Sequence, residues 1–159
     1  MTVLILPGPQ ALSAFRVDNL VKKISGATVI NKDLVSTCFV HYVELQENAE
    51  LTEKELGLLN SLLIYDSPCL DSNLNTIVSQ NTSTQDETLI RVLPRTGTIS
   101  PWSSKATNIA HVCGLAGKIN RIERGMAIYI KSHKPQNLTL TEDSLKSVFD
   151  RMTQSLFVN

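Results

Sequence analysis

Apolar residues in the first half of the chain recur with two spacings, and each spacing predicts one kind of element. Short β-branched and aromatic runs at residues 2–6 and 37–45 predict strands. Apolar residues three and four positions apart predict two amphipathic helices, and Thr52 followed by Glu55 is a capping box for the second. These helices cover residues 11–24, with Leu12, Phe15, Leu20, Val21 and Ile24 apolar, and residues 51–65, with Leu56, Leu59, Leu63 and Ile64 apolar.

The second half repeats this order of elements. Residues 87–95 and 118–131 predict strands, and residues 102–113 and 140–157 predict helices. Thr139 or Thr141 would cap the last helix. The apolar residues on one face of the long strand are Ile122, Met126, Ile128 and Ile130. Those on one side of the third predicted helix are Ala106, Ile109, Ala110 and Cys113. Those of the last predicted helix are Leu145, Val148, Phe149, Met152 and Leu156.

The two halves align with one another. "LTEKEL" begins at residue 51 and "LTEDSL" at residue 140, and the same offset of 89 places Gly8 on Gly97, Val3-Leu4 on Val92-Leu93, Leu20 on Ile109 and Phe39 on Ile128 without a gap. This predicts an internal duplication of a strand–helix–strand–helix unit, with halves 1–66 and 87–159 and a polar surface linker at 67–86. Each half is too small to bury its apolar faces alone. The expected fold class is therefore α+β, a two-layer, internally duplicated single domain over 1–159 with pseudo-two-fold symmetry.

Composition and charge narrow the class of protein. The chain carries 15 Lys and Arg against 15 Asp and Glu, so its net charge is zero. A nucleic-acid or anionic-membrane binder would show a basic excess, and neither partner is expected. No apolar run reaches the roughly 18 residues of a membrane span. Cys38, Cys69 and Cys113 form no Cys-x-x-Cys, which predicts reduced thiols and a cytoplasmic location.

Few residues have the spacing that catalysis or metal binding needs. Neither standard nucleotide-binding loop occurs. His41 lies in a predicted strand, where a hydrogen-bonded structural histidine is expected. His111 and Cys113 are two positions apart on a helix, which disfavours a metal pair, and Cys113 falls on the predicted buried face, where it would be inert. Glu123 and Arg124 on the long strand could form a site, but an exposed cross-strand ion pair is the favoured interpretation. We therefore predict no catalytic residue and no metal site.

Segment 94–108 is the strongest candidate for a contact surface, because it combines the single tryptophan with more hydroxyl groups than capping needs. A helix that starts near Trp102 would offer free N–H groups beside Arg95 and Lys105, which suits an anion or carboxylate. The alternative is a well-capped helix after a turn, with Trp102 in the core and Lys105 paired with an acid such as Glu123. The candidate interface or substrate-entrance residues are Arg95, Thr98, Ser100, Trp102, Ser103, Ser104 and Lys105.

The same segment carries a resemblance to a known family. "LPRTGTISPWSSKATNIAHVCGL" followed by "INRIERGMAIYI" closely resembles the start of the large, single-chain formylglycinamide ribonucleotide amidotransferases, and "ALSAFR" at residues 11–16 is similar to that family's opening. The resemblance covers essentially the whole chain and is least distinctive in the linker and beyond residue 131. It implies the family's N-terminal PurS-like domain, two copies of a small α+β unit, in agreement with the offset of 89.

The resemblance also implies a function. Members of the family are ligases of purine biosynthesis that convert formylglycinamide ribonucleotide, ATP and glutamine to formylglycinamidine ribonucleotide. ATP and Mg²⁺ belong to a synthetase domain, and a glutaminase domain releases ammonia. Neither domain is in this sequence, so we expect a non-catalytic module, inactive alone and without its own cofactor, that docks on both domains and helps shape the substrate site. The alternative is an independent small-ligand or protein-binding module with no attached enzyme. Because the duplication would replace a homodimer, we expect a monomer.

Overall fold

The computed structural model describes residues 2–25, 34–69, 76, 78, 87–131 and 141–158. Within this part of the chain, five strands form one antiparallel sheet and four α-helices accompany it. The strands are β1 (Val3–Gln10), β2 (Val35–Leu45), β3 (Glu87–Pro94), β4 (Ile119–Lys131) and β5 (Gln154–Val158). The helices are α1 (Ala14–Ile24), α2 (Glu53–Leu62), α3 (Pro101–Ala110), which continues into a π-helical turn at His111–Leu115, and α4 (Glu142–Leu145).

The two longest strands form the centre of the sheet. The strand order is β1-β2-β4-β3-β5, so β2 and β4 pair with each other and β1 and β3 flank them. Phe39 lies opposite Met126, and Val43 lies opposite Ile122. Since side chains alternate along a strand, residues of this parity point to one face. The predicted grouping of apolar residues on one face of β4 is therefore confirmed.

The four α-helices pack on that same face. Leu20 of α1 and Leu145 of α4 share a buried cluster with Ile128 of β4. Leu59 of α2 and Ala110 of α3 share another cluster with Ile122, nearer the start of β4. Helices on one side of an antiparallel sheet make a two-layer α+β domain. The expected two-layer α+β class is confirmed, without its internal duplication. None of the described helices is long and apolar enough to cross a membrane.

The opposite face of the sheet buries a smaller cluster that includes Leu89, Ala127 and Tyr129. Val78 joins this cluster with only 1% of its surface exposed. It lies in the segment that was predicted to be a surface linker, most of which is outside the described residues. At least one residue of that segment is therefore part of the core, because the apolar second face of the sheet needs cover. The domain boundaries stay a prediction.

The predicted closing helix over residues 140–157 is wrong beyond its first turn. Thr141 caps α4 through Ser144, as one of the two candidate caps, but the helix ends at Leu145 and β5 pairs with β3. Asp150 accepts hydrogen bonds from the Met152 N–H and the Thr153 hydroxyl, which favours a turn over continued helix. Antiparallel pairing also satisfies the β3 edge, whose backbone groups a helix would leave open.

Strand β1 also differs from its prediction, because it continues through Pro7-Gly8-Pro9 to Gln10. It is an edge strand with an irregular register between Pro7 and Gln10, and such edges tolerate proline. Gly8 is needed there because an added Cβ would lie 2.6 Å from His41 Cε1 and 2.9 Å from the Phe39 carbonyl oxygen.

The gapless offset of 89 does not hold in the structure. It matches Leu20, which is fully buried, to Ile109, which is 53% exposed. It also matches Leu4, which faces the helices, to Leu93 on the opposite face. A strand residue changes face only through an odd shift, so the offset of 89 does not superpose the first strands of the two halves. The strand order is compatible with two similar halves, and the duplication stays a prediction.

Several apolar residues predicted to lie in buried stripes are exposed instead. The stripe of α1 is formed by Val17 together with Leu20, Val21 and Ile24, and it turns Phe15 to solvent. The exposed members of the predicted stripes are Phe15, Ile64, Ile109, Cys113 and Met152. The helical layer therefore presents apolar side chains outward as well as inward.

Candidate functional site

Helix α3 begins in the candidate segment with a side-chain cap. The Ser100 Oγ accepts a hydrogen bond from the Ser103 N–H at 3.0 Å, and Pro101 occupies the first turn, where an N–H is not needed. The Ser100 hydroxyl also donates to the Glu123 carboxylate at 2.7 Å. The cap therefore ties the helix start to β4, and the expected capping role of Ser100 is confirmed.

Polar side chains of α3 satisfy the edge of β4 where pairing with β3 has ended. The Ser103 hydroxyl donates to the Ile122 carbonyl at 2.6 Å, and the Ile122 N–H donates to the Thr107 hydroxyl at 3.0 Å. One turn further, His111 Nε2 lies 2.7 Å from the Ile119 carbonyl. Buried backbone groups need such partners, and side chains four residues apart on a helix line up to provide them. Much of the hydroxyl excess in this segment is therefore structural.

The loop between β3 and α3 is held against β4 while its own side chains stay exposed. Gly97 has φ 81°, a left-handed conformation that suits glycine, and the Thr98 hydroxyl donates to the Arg95 carbonyl at 2.6 Å. Arg121 donates to the Thr98 carbonyl at 2.9 Å. Arg95 and Thr98 are both exposed. The loop thus combines a fixed backbone with accessible polar groups.

Glu123 is paired differently from either sequence interpretation. Its carboxylate binds Arg121 at 2.6 Å and accepts hydrogen bonds from Ser100. Burial by itself raises the pKa of Glu123, but the hydrogen bonds from Ser100, Arg121 and the Arg124 N–H outweigh burial and hold the pKa below its ordinary value. The predicted Glu123–Arg124 ion pair is wrong, because neighbouring strand residues point to opposite faces. The suggested Lys105–Glu123 pair is absent from the described contacts.

Trp102 lies in an aromatic cluster on the helical face of the sheet. Its ring stacks on that of His41, with centroids 5.6 Å apart, and lies 6.2 Å from the Tyr65 ring. The Arg124 guanidinium lies 4.3 Å from the Phe39 ring centroid and 4.7 Å from that of Trp102. Contacts of this kind are cation–π interactions. The cluster joins β2, β4 and α3, so Trp102 is half-buried and not a free surface residue.

His41 is fully buried under this cluster. Its Nε2 is hydrogen-bonded to the Tyr65 hydroxyl at 2.9 Å, whereas its Nδ1 is buried with no partner in the described part of the chain. Burial, followed by the nearby charge of Arg124, lowers the pKa of His41 to about 4. The imidazole is therefore neutral near pH 7. The predicted satisfied strand histidine is satisfied at one ring nitrogen only.

A cleft of about 460 Å³ opens beside the cluster, between the first turns of α1 and α3. Phe39, Arg124 and Met126 form its floor, and Arg16 and Trp102 contribute to its walls. Two smaller grooves adjoin it, one of about 260 Å³ along α3 and one of about 270 Å³ beside the 95–98 loop. Five of the seven predicted site residues line these three depressions, and Ser103 and Ser104 line a fourth one beside Thr107 and Arg121.

The structure brings together some of the predicted site residues and separates others. Thr98, Ser100 and Trp102 line the large cleft, whereas Arg95 lines the groove beside the loop and Lys105 the groove along α3. Ser104 and Lys105 are exposed. Ser103 is fully buried, so its expected accessibility is wrong: its hydroxyl faces the β4 backbone.

Sequence analysis missed Arg16, Phe39 and Tyr65 as parts of this site, and it considered Arg124 as a site residue but favoured an ion pair. One signal for Arg124 was available, because it has the parity of the apolar face of β4 and is its one charged residue between Ile122 and Ile130. A charge on an apolar face indicates a special partner. Tyr65 and Arg16 had no comparable signal, since they reach the cluster only through the tertiary fold.

The cysteines and histidines form no second site in the described residues. Cys38 is buried and Cys69 is half-buried. Cys113 is exposed rather than buried as predicted, and it lies in the π-helical turn that follows α3. No group of three or more His, Cys, Asp or Glu that could hold a metal ion occurs in the described ranges.

Comparison with known proteins agrees with the resemblance carried by this segment. The model of the family described as "Formylglycinamide ribonucleotide amidotransferase N-terminal" matches residues 38–159. The chain is 50% identical over 175 aligned positions to a phosphoribosylformylglycinamidine synthase of Saccharomyces cerevisiae. That alignment covers 99% of this chain and 13% of the yeast protein, so the chain spans about an eighth of its relative's length. The chain thus belongs to the formylglycinamide ribonucleotide amidotransferase N-terminal family.

Proposed function

We propose that this chain is a non-catalytic N-terminal module of a phosphoribosylformylglycinamidine synthase, the purine-biosynthesis ligase that converts formylglycinamide ribonucleotide, ATP and glutamine to formylglycinamidine ribonucleotide. In this proposal the module acts in the cytoplasm and docks on the synthetase and glutaminase domains of the same enzyme. ATP and Mg²⁺ belong to the synthetase domain, and no residue of this chain takes part in their chemistry. The module contributes a surface beside the substrate site.

The observation that carries the proposal is the loop at residues 95–100, which is rigid and exposed at the same time. Hydrogen bonds from Arg121 and to Glu123 fix its backbone, while the side chains of Arg95 and Thr98 face solvent. A preorganised loop loses little conformational entropy when it binds, which suits a permanent contact surface. The 50% identity to a yeast phosphoribosylformylglycinamidine synthase also supports the proposal that this chain is a module of such an enzyme.

Arg95 and Lys105 are the cations through which the loop and α3 would assist an anionic substrate. Both are exposed; Arg95 lines the groove beside the loop, and Lys105 lines the groove along α3 that also includes Trp102. Exposed charges raise the local concentration of an anion without forming a pocket by themselves. Their effect on substrate binding should therefore be modest and additive.

The test uses the full-length enzyme that contains this module. Arg95→Ala and Lys105→Ala are each assayed for the KM of formylglycinamide ribonucleotide, with Lys22→Ala as a control at the far end of α1. We expect the KM to rise about two- to fivefold in the two test variants, as for exposed charge interactions, with an unchanged melting temperature. Unchanged kinetics with lost stability would assign both residues to structure and reduce the loop to a capped turn.

A further inference from the structure

Arg124 is a half-buried cation without an acidic partner. Among the described residues no carboxylate pairs with its guanidinium, which donates one hydrogen bond, of 3.3 Å, to the Tyr65 hydroxyl. Arginine carries five N–H donors, so most of them have no acceptor within the described part of the chain. The Phe39 and Trp102 rings hold the guanidinium in place from two sides. The chain therefore fixes a charged group in position without neutralising it.

The cleft that contains Arg124 has the composition of a protein-binding surface. Its two charged lining residues are Arg16 and Arg124, and no Asp or Glu lines it. Ile99 and Met152, which both line the cleft, expose 62% and 78% of their surface. Arginine, methionine and aromatic residues are enriched at interface centres, and a buried arginine is a frequent hot spot there.

From this geometry we infer that the cleft receives an apolar segment bearing an aspartate or glutamate, whose carboxylate pairs with Arg124. The segment belongs to the part of the same enzyme outside residues 1–159, so the inference rests on the proposed function and names the contact through which the module docks. Charge complementarity selects the acid, and the exposed Ile99 and Met152 select the apolar flanks. Arg16, at the start of α1, adds a second positive charge to the same cleft.

A small anion such as phosphate is a poorer match for this cleft. Phosphate sites usually combine several convergent N–H donors, whereas most of the surface here is aromatic and aliphatic. A planar guanidinium stacked on an aromatic ring instead suits bidentate pairing with a carboxylate. Exposed apolar walls also gain from burial under a protein segment, which an ion cannot provide.

The first experiment captures the partner acid in the full-length enzyme. The Arg124→Lys variant places an amine at the cleft floor, and a water-soluble carbodiimide then joins that amine to a neighbouring carboxylate. Peptide mass spectrometry should find a cross-link from position 124 to an Asp or Glu outside residues 1–159. Cross-links from Lys22, Lys54 and Lys105, which are native exposed amines, serve as internal references.

The pattern of cross-links separates the two proposals. Suppose that the reference lysines form cross-links to residues outside this chain and position 124 forms none. That result would overturn the cleft contact and leave the proposed docking function intact. The lack of any cross-link leaving residues 1–159 would overturn both. In a parallel hydrogen-exchange measurement on the full-length enzyme, Arg124→Met should speed amide exchange at residues 98–102 about tenfold or more, as expected when one partner of a buried pair is removed.

A second experiment tests the small-anion alternative on the 159-residue chain. Trp102 is its single tryptophan and lies against Arg124, so its fluorescence reports on the cleft. Inorganic phosphate is titrated against the unsubstituted chain and the Arg124→Met variant. We expect no saturable change up to tens of millimolar. A saturable change that Arg124→Met abolishes would overturn the inference and assign the cleft to a small anion.

Discussion

The Ser103→Ala substitution tests how α3 replaces a missing strand along β4. The Ser103 hydroxyl is fully buried, donates to the Ile122 carbonyl at 2.6 Å and accepts from Arg121 Nε at 3.3 Å. Because the Ile122 N–H is bonded to Thr107, the backbone groups of Ile122 point toward α3 and not toward β2. Loss of the hydroxyl would leave a buried carbonyl without its partner.

The expected magnitude follows from two opposing terms. An unsatisfied buried acceptor costs about 1–3 kcal/mol, while replacing serine by alanine within a helix returns about 0.5 kcal/mol. The free energy of unfolding should therefore fall by about 0.5–2.5 kcal/mol, and the melting temperature by about 1–10 °C for a chain of this size. Urea unfolding followed by far-UV circular dichroism measures the first quantity, and calorimetry the second.

Ser104→Ala is the matched control. Ser104 is the next residue on the same helix, is exposed, and has only a 3.5 Å contact with the Ser100 carbonyl. The substitution and its helix propensity are the same, so its stability should change by less than about 0.5 kcal/mol. Equal stabilities of the Ser103→Ala and Ser104→Ala variants would refute the idea that buried hydroxyls of α3 complete the β4 edge.

Three other predictions concern stability and assembly. Burial and Arg124 lower the pKa of His41 to about 4, so between about pH 6.5 and 4 the unfolded chain binds a proton that the folded chain does not. The free energy of unfolding should therefore fall by up to about 3 kcal/mol as the pH drops through this window. In urea titrations, His41→Gln should remove this dependence on pH. A wild-type-like slope in the variant would contradict the assignment to His41. Gly8→Ala should destabilise the chain by about 1–3 kcal/mol, because the new Cβ would lie 2.9 Å from the Phe39 carbonyl oxygen. Gly57→Ala in α2, where a Cβ would meet nothing within 4 Å, should stabilise it by about 0.5–1 kcal/mol. A stabilised Gly8→Ala variant or a destabilised Gly57→Ala variant in thermal unfolding would contradict these contacts. Sedimentation velocity at several concentrations should find a monomer, and a tight dimer at low micromolar concentration would count against the expectation that one chain suffices.

Local patterns predicted the elements whose stability is local. The capping box of Thr52 and Glu55 starts α2, and the alternation along β4 places its apolar residues on one face. The residues beyond Leu145 were mispredicted because their helical spacing and their strand pairing with β3 both allow Leu156 to be half-buried against the core. The choice depends on the open edge of β3, which the local sequence does not contain.

The candidate site was only partly predictable, because its contacts also join elements that are distant in sequence. The hydroxyl-rich segment drew attention to Trp102, but three of its six hydroxyl groups, those of Ser100, Ser103 and Thr107, cap α3 or bind β4. Arg124 was visible only as a charge with the parity of an apolar face. Its position between the Phe39 and Trp102 rings depends on three elements that are distant in sequence and meet in the folded domain.

Hydrogen exchange compared between the 159-residue chain and the full-length enzyme tests the docking role most directly. Amides at residues 95–104 and 148–154, around the loop and the cleft, should exchange much more slowly in the full-length enzyme than in the 159-residue chain. Amides near Lys22 at the far end of α1, away from both, should exchange equally in the two proteins. Equal exchange of the loop and cleft in both would contradict the claim that this surface is the docking surface of the module.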